Sequence, residues 1–162
     1  MVRIRQARRA DAQAAWDIRR LAVRARCADV YSPAEIAAWT AGEPGEKAIA
    51  RVARDFHVAV DDERVVATGM LTAAEGDAAA GKVDAIFVHP LHMGRGIARQ
   101  MMTFIEALAL ARGMRVLTLD ATLNAAPFYR RCGFVGDAVS VHVGPTSLSL
   151  ACVPMRKTLD AT

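Results

Sequence analysis

Cysteine is scarce in this chain and does not pair. The three present, Cys27, Cys132 and Cys152, are odd in number and form no Cys-x-x-Cys motif. That excludes a disulfide framework and fits reduced thiols in a cytoplasmic protein. The four histidines, His57, His89, His92 and His142, lack the spacing of metal ligands, so no metal site is expected. Long apolar runs are missing too: residues 101–111 come nearest, but Glu106 interrupts them and they are too short to span a bilayer. The arginine-rich residues 1–12 have no apolar stretch behind them, so neither export nor membrane insertion is expected. Arginines at 3, 5, 8, 9, 19, 20, 24 and 26 load this end. Without the repeated aromatics of a nucleic-acid surface they read as a solvated helix face. There are no repeats, and the short Ala/Gly stretch at 76–81 is the one low-complexity tract.

What is present suits one globular domain over residues 1–162, long enough to bury a core of its own. The hydrophobic fraction is 53% and the charged fraction 23%, ordinary for a soluble protein. A net charge of +4 and a pI near 9.3 favour anionic ligands without choosing among them. Residues 2–7 alternate apolar and basic, as an edge strand does. Asp11 is placed to N-cap a helix running to about residue 26. Ser32-Pro33-Ala34-Glu35 reads as a capping box opening a second helix with Ile36 and Trp39, and a short helix is expected at 46–54. Strands follow at 56–60 and 65–71, joined through Asp61-Asp62-Glu63, and after the Ala/Gly loop at 83–88, stopped by Pro90. Residues 97–112 carry the strongest helical periodicity and end at Gly113. A strand at 116–119, a short helix at 126–131 closed by Gly133, and a hairpin of 134–143 with 147–155 around Gly144-Pro145 complete the order. The expected class is α/β: a mixed sheet with helices on both faces.

The chemistry concentrates in two segments. In Val88-His89-Pro90-Leu91-His92-Met93-Gly94-Arg95-Gly96-Ile97-Ala98 a strand ends, a glycine loop follows, and a long helix begins at once. The first N–H groups of a helix have no intrahelical partner and sit at the positive end of its dipole. Gly94 and Gly96 let a pyrophosphate approach that backbone. A plain tight turn would look the same, and the dinucleotide fingerprint needs another glycine spacing. The second segment is Asn124-Ala125-Ala126-Pro127-Phe128-Tyr129-Arg130-Arg131-Cys132-Gly133-Phe134.

Together the two segments resemble the GNAT acetyltransferases. That family's cofactor motif is Gln/Arg-x-x-Gly-x-Gly/Ala, followed after a helix and a strand by Asn-x-x-Ala/Pro-x-x-(Phe/Leu)-Tyr-x-x-x-Gly-Phe. Gly96 and Ala98 fill the small positions, and Tyr129 with Gly133-Phe134 matches the second motif. The resemblance implies a central, mostly antiparallel sheet with helices on both faces. It also implies acetyl-CoA as co-substrate, held by Ile86, Phe87, Val88, Met93, Gly94, Arg95, Gly96, Ile97, Ala98, Asn124 and Tyr129. Residues 86–88 would offer main-chain hydrogen bonds to the pantetheine arm, as an added strand would; Phe87 and His89 fit ordinary packing and turn roles equally well. Met93 departs from the family's Gln or Arg, and Arg95 is the alternative source of charge for the phosphates, with plain solvent exposure standing beside that role. The segment Tyr31-Ser32-Pro33-x-Glu35-Ile36-x-x-Trp39 resembles one bacterial GNAT subgroup.

The implied reaction is direct attack of a primary amine on a thioester. An alkylamine with pKa of about 10.4 is mostly protonated at neutral pH, so a proton must be removed, and the departing thiolate gains from receiving one. By resemblance, Tyr129 is the general acid. Asp84 and Asp120 are candidate bases: strand alternation puts Asp84 on the face of Ile86 and Val88, and Asp120 ends its strand beside the cofactor path, where capping the next loop is an equal alternative. His142 is a third candidate, and a water relay is a fourth option. Cys132 has no paired base and reads as packing rather than as a nucleophile.

Three functions fit: a small-molecule N-acetyltransferase, which the reading favours; an acetyltransferase for protein lysine or N-terminal amines; and an acyl-CoA-binding sensor without turnover. The acceptor pocket is expected between the first two helices, the loop around Tyr31 and Trp39, and the last hairpin. Neither nucleic acid nor membrane is expected as a partner, and a homodimer is left open.

Overall fold

The computed structural model of the chain describes residues 1–143 and 149–160. The Gly144-Pro145 turn and the side chain of His142 lie outside the described residues. Among the described residues, five α-helices, α1 (Ala12–Arg26), α2 (Pro33–Trp39), α3 (Glu46–Asp55), α4 (Ile97–Ala111) and α5 (Ala126–Arg131), flank one seven-stranded sheet. Its strands are β1 (Arg3–Gln6), β2 (Phe56–Asp61), β3 (Arg64–Ala74), β4 (Asp77–Val88), β5 (Val116–Thr122), β6 (Ser140–Val143) and β7 (Ser149–Thr158). Their order in the sheet is β1-β2-β3-β4-β5-β7-β6. Every pairing is antiparallel except β4 with β5. This is the mixed sheet with helices on both faces that the element order implied, and the mostly antiparallel pairing that the resemblance implied.

The helical period places α4. Met101, Ile105 and Ala109 recur four residues apart and are fully buried with Leu71, Val83 and Leu117 of the sheet. The approach is close: a Cβ on Gly69 would lie 2.8 Å from the Met101 Cγ, so only glycine lets α4 lie this near β3. Ala12 and Ala15 of α1 pack with Val52 of α3 and with Val58 and Val60 of β2 in a separate cluster. No helix among the described residues is long and apolar enough to cross a membrane.

Three local readings of the sequence change. Asp11 stands at the N-cap of α1, but its side chain makes no capping bond to the helix. Its carboxylate reaches back, accepting from the Arg5 guanidinium at 2.7 and 3.1 Å and from the Arg8 N–H at 2.7 Å, and the guanidinium holds it below the ordinary carboxylate range. The Ala/Gly stretch is strand rather than loop, because β4 begins at Asp77, just after the turn at Gly76. Gly81 is needed within it, since a Cβ there would meet Leu117, Met114 and Leu71 side chains at 2.8–2.9 Å. Residues 134–139 form no strand beyond a single bridge from Val135 to Arg156. A Cβ on Gly136 would stand 2.2 Å from the Pro154 carbonyl oxygen, and that backbone approach replaces regular pairing. The Asp61–Glu63 hairpin is present, with Asp62 and Glu63 both at positive φ, the conformation of a two-residue type I′ turn.

Candidate active site

The site exists because β4 and β5 stop pairing. They run parallel through three residue pairs, Ala80–Val116 to Lys82–Thr118, and then part. The cause lies in β4, where the register against β3 slips: Thr68 pairs with Phe87 but Met70 with Asp84. Ala85 and Ile86 therefore oppose Gly69 alone, which is a β-bulge. Ala85 sits at φ 55, a left-handed conformation that costs a non-glycine residue about 1–2 kcal/mol. The buried Thr68 hydroxyl offsets this by donating to the Ala85 carbonyl at 2.6 Å.

The bulge also reverses the strand alternation. Asp84 shares a face with Phe87, which packs against Val23, Cys27 and Tyr31 on the α1 side. It does not share the face of Val88, which packs with the α4 cluster. A simple period of two ran through an inserted residue and put Asp84 on the wrong side.

Beyond the bulge lies a cleft of about 670 Å³, within the size range of small-molecule sites. Of the candidate residues, Ile86, Phe87, Val88, Met93, Gly94, Gly96, Ile97, Ala98, Asn124 and Tyr129 line it. Arg95 is exposed and outside the lining, whereas Arg99, one helical turn further on, is part of it. Asp84 and Asp120 are not in the lining. Asp120 stands within β5, which extends to Thr122, and takes an ion pair from Lys82 of β4 at 2.6 Å, so it caps no loop. Ala22 and Arg26 of α1 and Cys27 just after it, together with Arg131 of α5, also line the cleft. The first helix was expected beside the acceptor pocket, but which of its residues reach the cleft was not legible, because only folding brings them to a loop some hundred positions away.

The loop at the start of α4 leaves backbone amides open. Gly94 and Gly96 have φ of 78° and 75°, and a Cβ on either would meet nothing within 4 Å. Their glycines serve conformation and open space, unlike Gly69 and Gly81. Gly96 is the N-cap of α4, and no side chain caps that end. The first-turn N–H groups thus have neither an intrahelical nor a side-chain partner among the described residues. His89 is occupied otherwise, its Nδ1 accepting the Leu91 N–H at 3.1 Å.

Tyr129 is fixed by the end of α5. The Phe134 N–H donates to the Tyr129 carbonyl and the Gly133 N–H to the Arg130 carbonyl, each at 3.0 Å, with Gly133 at φ 94. This is a Schellman motif, in which a left-handed glycine and the apolar residue after it close the helix. The Phe134 ring meets Tyr129 edge-on at 6.0 Å. The spacing Tyr-x-x-x-Gly-Phe is therefore a geometric device that locks the tyrosine. Tyr129 is 8% exposed, and its hydroxyl bonds to no group among the described residues. Burial, with a smaller push from the Cys132 and Asp84 charges, raises the phenol well above its usual value, so it stays protonated. Burial likewise pushes the Cys27 thiol up to about 11 and raises Cys132, which leaves neither a ready nucleophile.

The comparisons agree with this geometry. The family profile of the acetyltransferase (GNAT) domain matches residues 53–136, which run from the end of α3 through both motif segments. A GCN5-related N-acetyltransferase from Rhodopseudomonas palustris is similar over 97% of this chain and 95% of its own, at 26% identity and a TM-score of 0.83. An N-acetyltransferase from Thermoplasma acidophilum, solved with coenzyme A, covers 98% of this chain and 99% of its own at 17% identity, TM-score 0.73. A putative acetyltransferase from Salmonella typhimurium, solved with acetyl-CoA, covers 100% of this chain and 96% of its own at 20% identity, TM-score 0.73. With the splayed strands, the glycine loop and the locked tyrosine, the match over half its length shows that the chain belongs to the GNAT acetyltransferase family.

Proposed function

We propose that this GNAT acetyltransferase carries the acetyl group of acetyl-CoA to a primary amine of a small molecule, by direct attack, with Tyr129 as general acid. The observation that carries the reading is Tyr129 itself: a buried, protonated phenol on the cleft wall whose hydroxyl has no partner among the described residues. The hydroxyl is not sealed in the core, so a thiolate leaving from the cleft can reach it. The cleft fits the co-substrate. The open left-handed glycines and uncapped amides of residues 94–98 suit a pyrophosphate, and Arg99 adds positive charge. The unpaired edges of β4 and β5 suit an extended pantetheine arm, with Asn124 beside it.

Acetyl-CoA supplies an activated thioester. The protein's part is to bind it, exclude water and hold a proton at the Tyr129 Oη for the leaving sulfur. Asp84 is the base in this reading because it shares the face of Phe87, a wall of the cleft, and lies near enough to Tyr129 for its charge to act on the phenol.

The test is thiol release with polyamines, aminoglycosides, amino acids, arylamines and lysine peptides, on wild type and Tyr129→Phe. A small amine should support turnover, and the variant should lose ~10²–10⁴-fold in kcat with acetyl-CoA affinity unchanged, since the proton matters only in the transition state. Wild-type rates in the variant would return Tyr129 to a structural role. Turnover with peptides alone would move the acceptor to protein amines, and binding without any turnover would make the chain an acyl-CoA sensor.

A further inference from the structure

The segment Tyr31 to Trp39 plays no part in the chemistry above, yet it is tied to the site by two long-range hydrogen bonds. Tyr31 is 5% exposed. Its hydroxyl donates to the Ala151 carbonyl of β7 at 2.6 Å and accepts the Leu123 N–H, just past β5, at 3.1 Å. Cys27, at the end of α1, donates from Sγ to the Asn124 Oδ1 at 3.6 Å. One tight turn joins the pair, since the N–H groups of Val30 and Tyr31 both donate to the Cys27 carbonyl. A single turn thus sends two side chains to two consecutive residues, Leu123 and Asn124.

The rest of the segment stiffens this turn. Ser32 and Glu35 cap α2 reciprocally at 3.0 and 3.1 Å, and Trp39 meets the Tyr31 ring edge-on at 5.8 Å. An asparagine amide has one acceptor oxygen and two N–H donors. With the Cys27 thiol on the oxygen, the donors remain for the cleft that Asn124 lines.

We propose that Cys27 and Tyr31 form a positioning clasp that holds residues 123–124 so that the Asn124 amide donates to the carbonyls of an acyl-pantetheine arm. This rests on the acetyl-CoA reading above. The clasp acts on the arm and not on the nucleotide, because the pyrophosphate loop at residues 94–98 belongs to another element.

Calorimetry with acetyl-CoA and with 3′,5′-ADP, the nucleotide end lacking the arm, tests it on wild type, Tyr31→Phe, Cys27→Ala and Cys27→Ser. Stranding a buried hydrogen-bond partner is expected to weaken acetyl-CoA about tenfold in Tyr31→Phe and Cys27→Ala. The affinity for 3′,5′-ADP should not change, and Cys27→Ser, which keeps a donor, should recover most of the loss. Equal weakening of both ligands, or undiminished acetyl-CoA affinity, overturns the clasp. If Tyr31→Phe does not fold, the cysteine pair decides alone, and identical behaviour of Cys27→Ala and Cys27→Ser overturns it. Wild type that binds 3′,5′-ADP but not acetyl-CoA overturns the acetyl-CoA reading and the clasp with it. Wild type that binds both, with variants that do so equally well, removes the clasp alone.

Discussion

At the scale of single residues, one amino acid serves two unrelated ends. Gly69 and Gly81 exist for packing, since a Cβ on either would collide with side chains at 2.8–2.9 Å. Gly94 and Gly96 have open space around them and instead need positive φ. That separation makes a clean prediction. Gly96→Glu should leave the core intact, because nothing is displaced, but adds backbone strain of about 1–2 kcal/mol and a negative charge at the loop proposed to hold the phosphates. Circular dichroism should show a folded protein, and calorimetry should show acetyl-CoA binding lost. Retained affinity would remove the loop from the site. The glycines were legible in the sequence because left-handed turns have a compositional signature. The choice between Arg95 and Arg99 was not, because it depends on which way a helix turns away from its first residue.

At the scale of elements, two devices shape the site. The Schellman motif that ends α5 was written openly as Tyr-x-x-x-Gly-Phe. The β4 bulge was hidden, because Ala85 is not the residue expected at a left-handed position and its cause, the Thr68 hydroxyl, lies on another strand. Thr68→Val keeps the shape and removes the donor, leaving the Ala85 carbonyl without it. Urea unfolding should show a loss of about 1–3 kcal/mol. Acetyl-CoA affinity should fall as well, because a relaxed bulge lets β4 close towards β5. A variant as stable as wild type would show that the hydroxyl does not hold the bulge.

At the scale of the whole molecule, the first strand is fastened to the first helix by the Arg5–Asp11 pair. The Asp11 carboxyl is held below its ordinary value by the Arg5 guanidinium first, against the opposing effect of burial. A lowered folded-state pKa means that the pair's stability is fully present above the unfolded value of about 3.9. It is lost as pH falls through the folded value. Asp11→Asn should therefore cost about 1.5–3 kcal/mol at neutral pH, as for a hydrogen bond to a charged group. Its thermal midpoint should decline less steeply than wild type between neutral pH and strong acid. Parallel pH profiles for the two proteins would show that Asp11 does not set the acid limb.

The order of elements, the glycine loop and the motif that locks the tyrosine follow from the sequence alone, because periodicity, capping and left-handed turns are local and leave local marks; the mostly antiparallel sheet was implied only by the resemblance those motifs carry. The parting of β4 from β5, the face on which Asp84 lies, the Lys82–Asp120 pair and the reach of Cys27 and Tyr31 to residues 123–124 were decided by tertiary structure. Each depends on a register or a contact between segments far apart in the chain. One inserted residue in a strand is enough to turn every side chain beyond it to the opposite face.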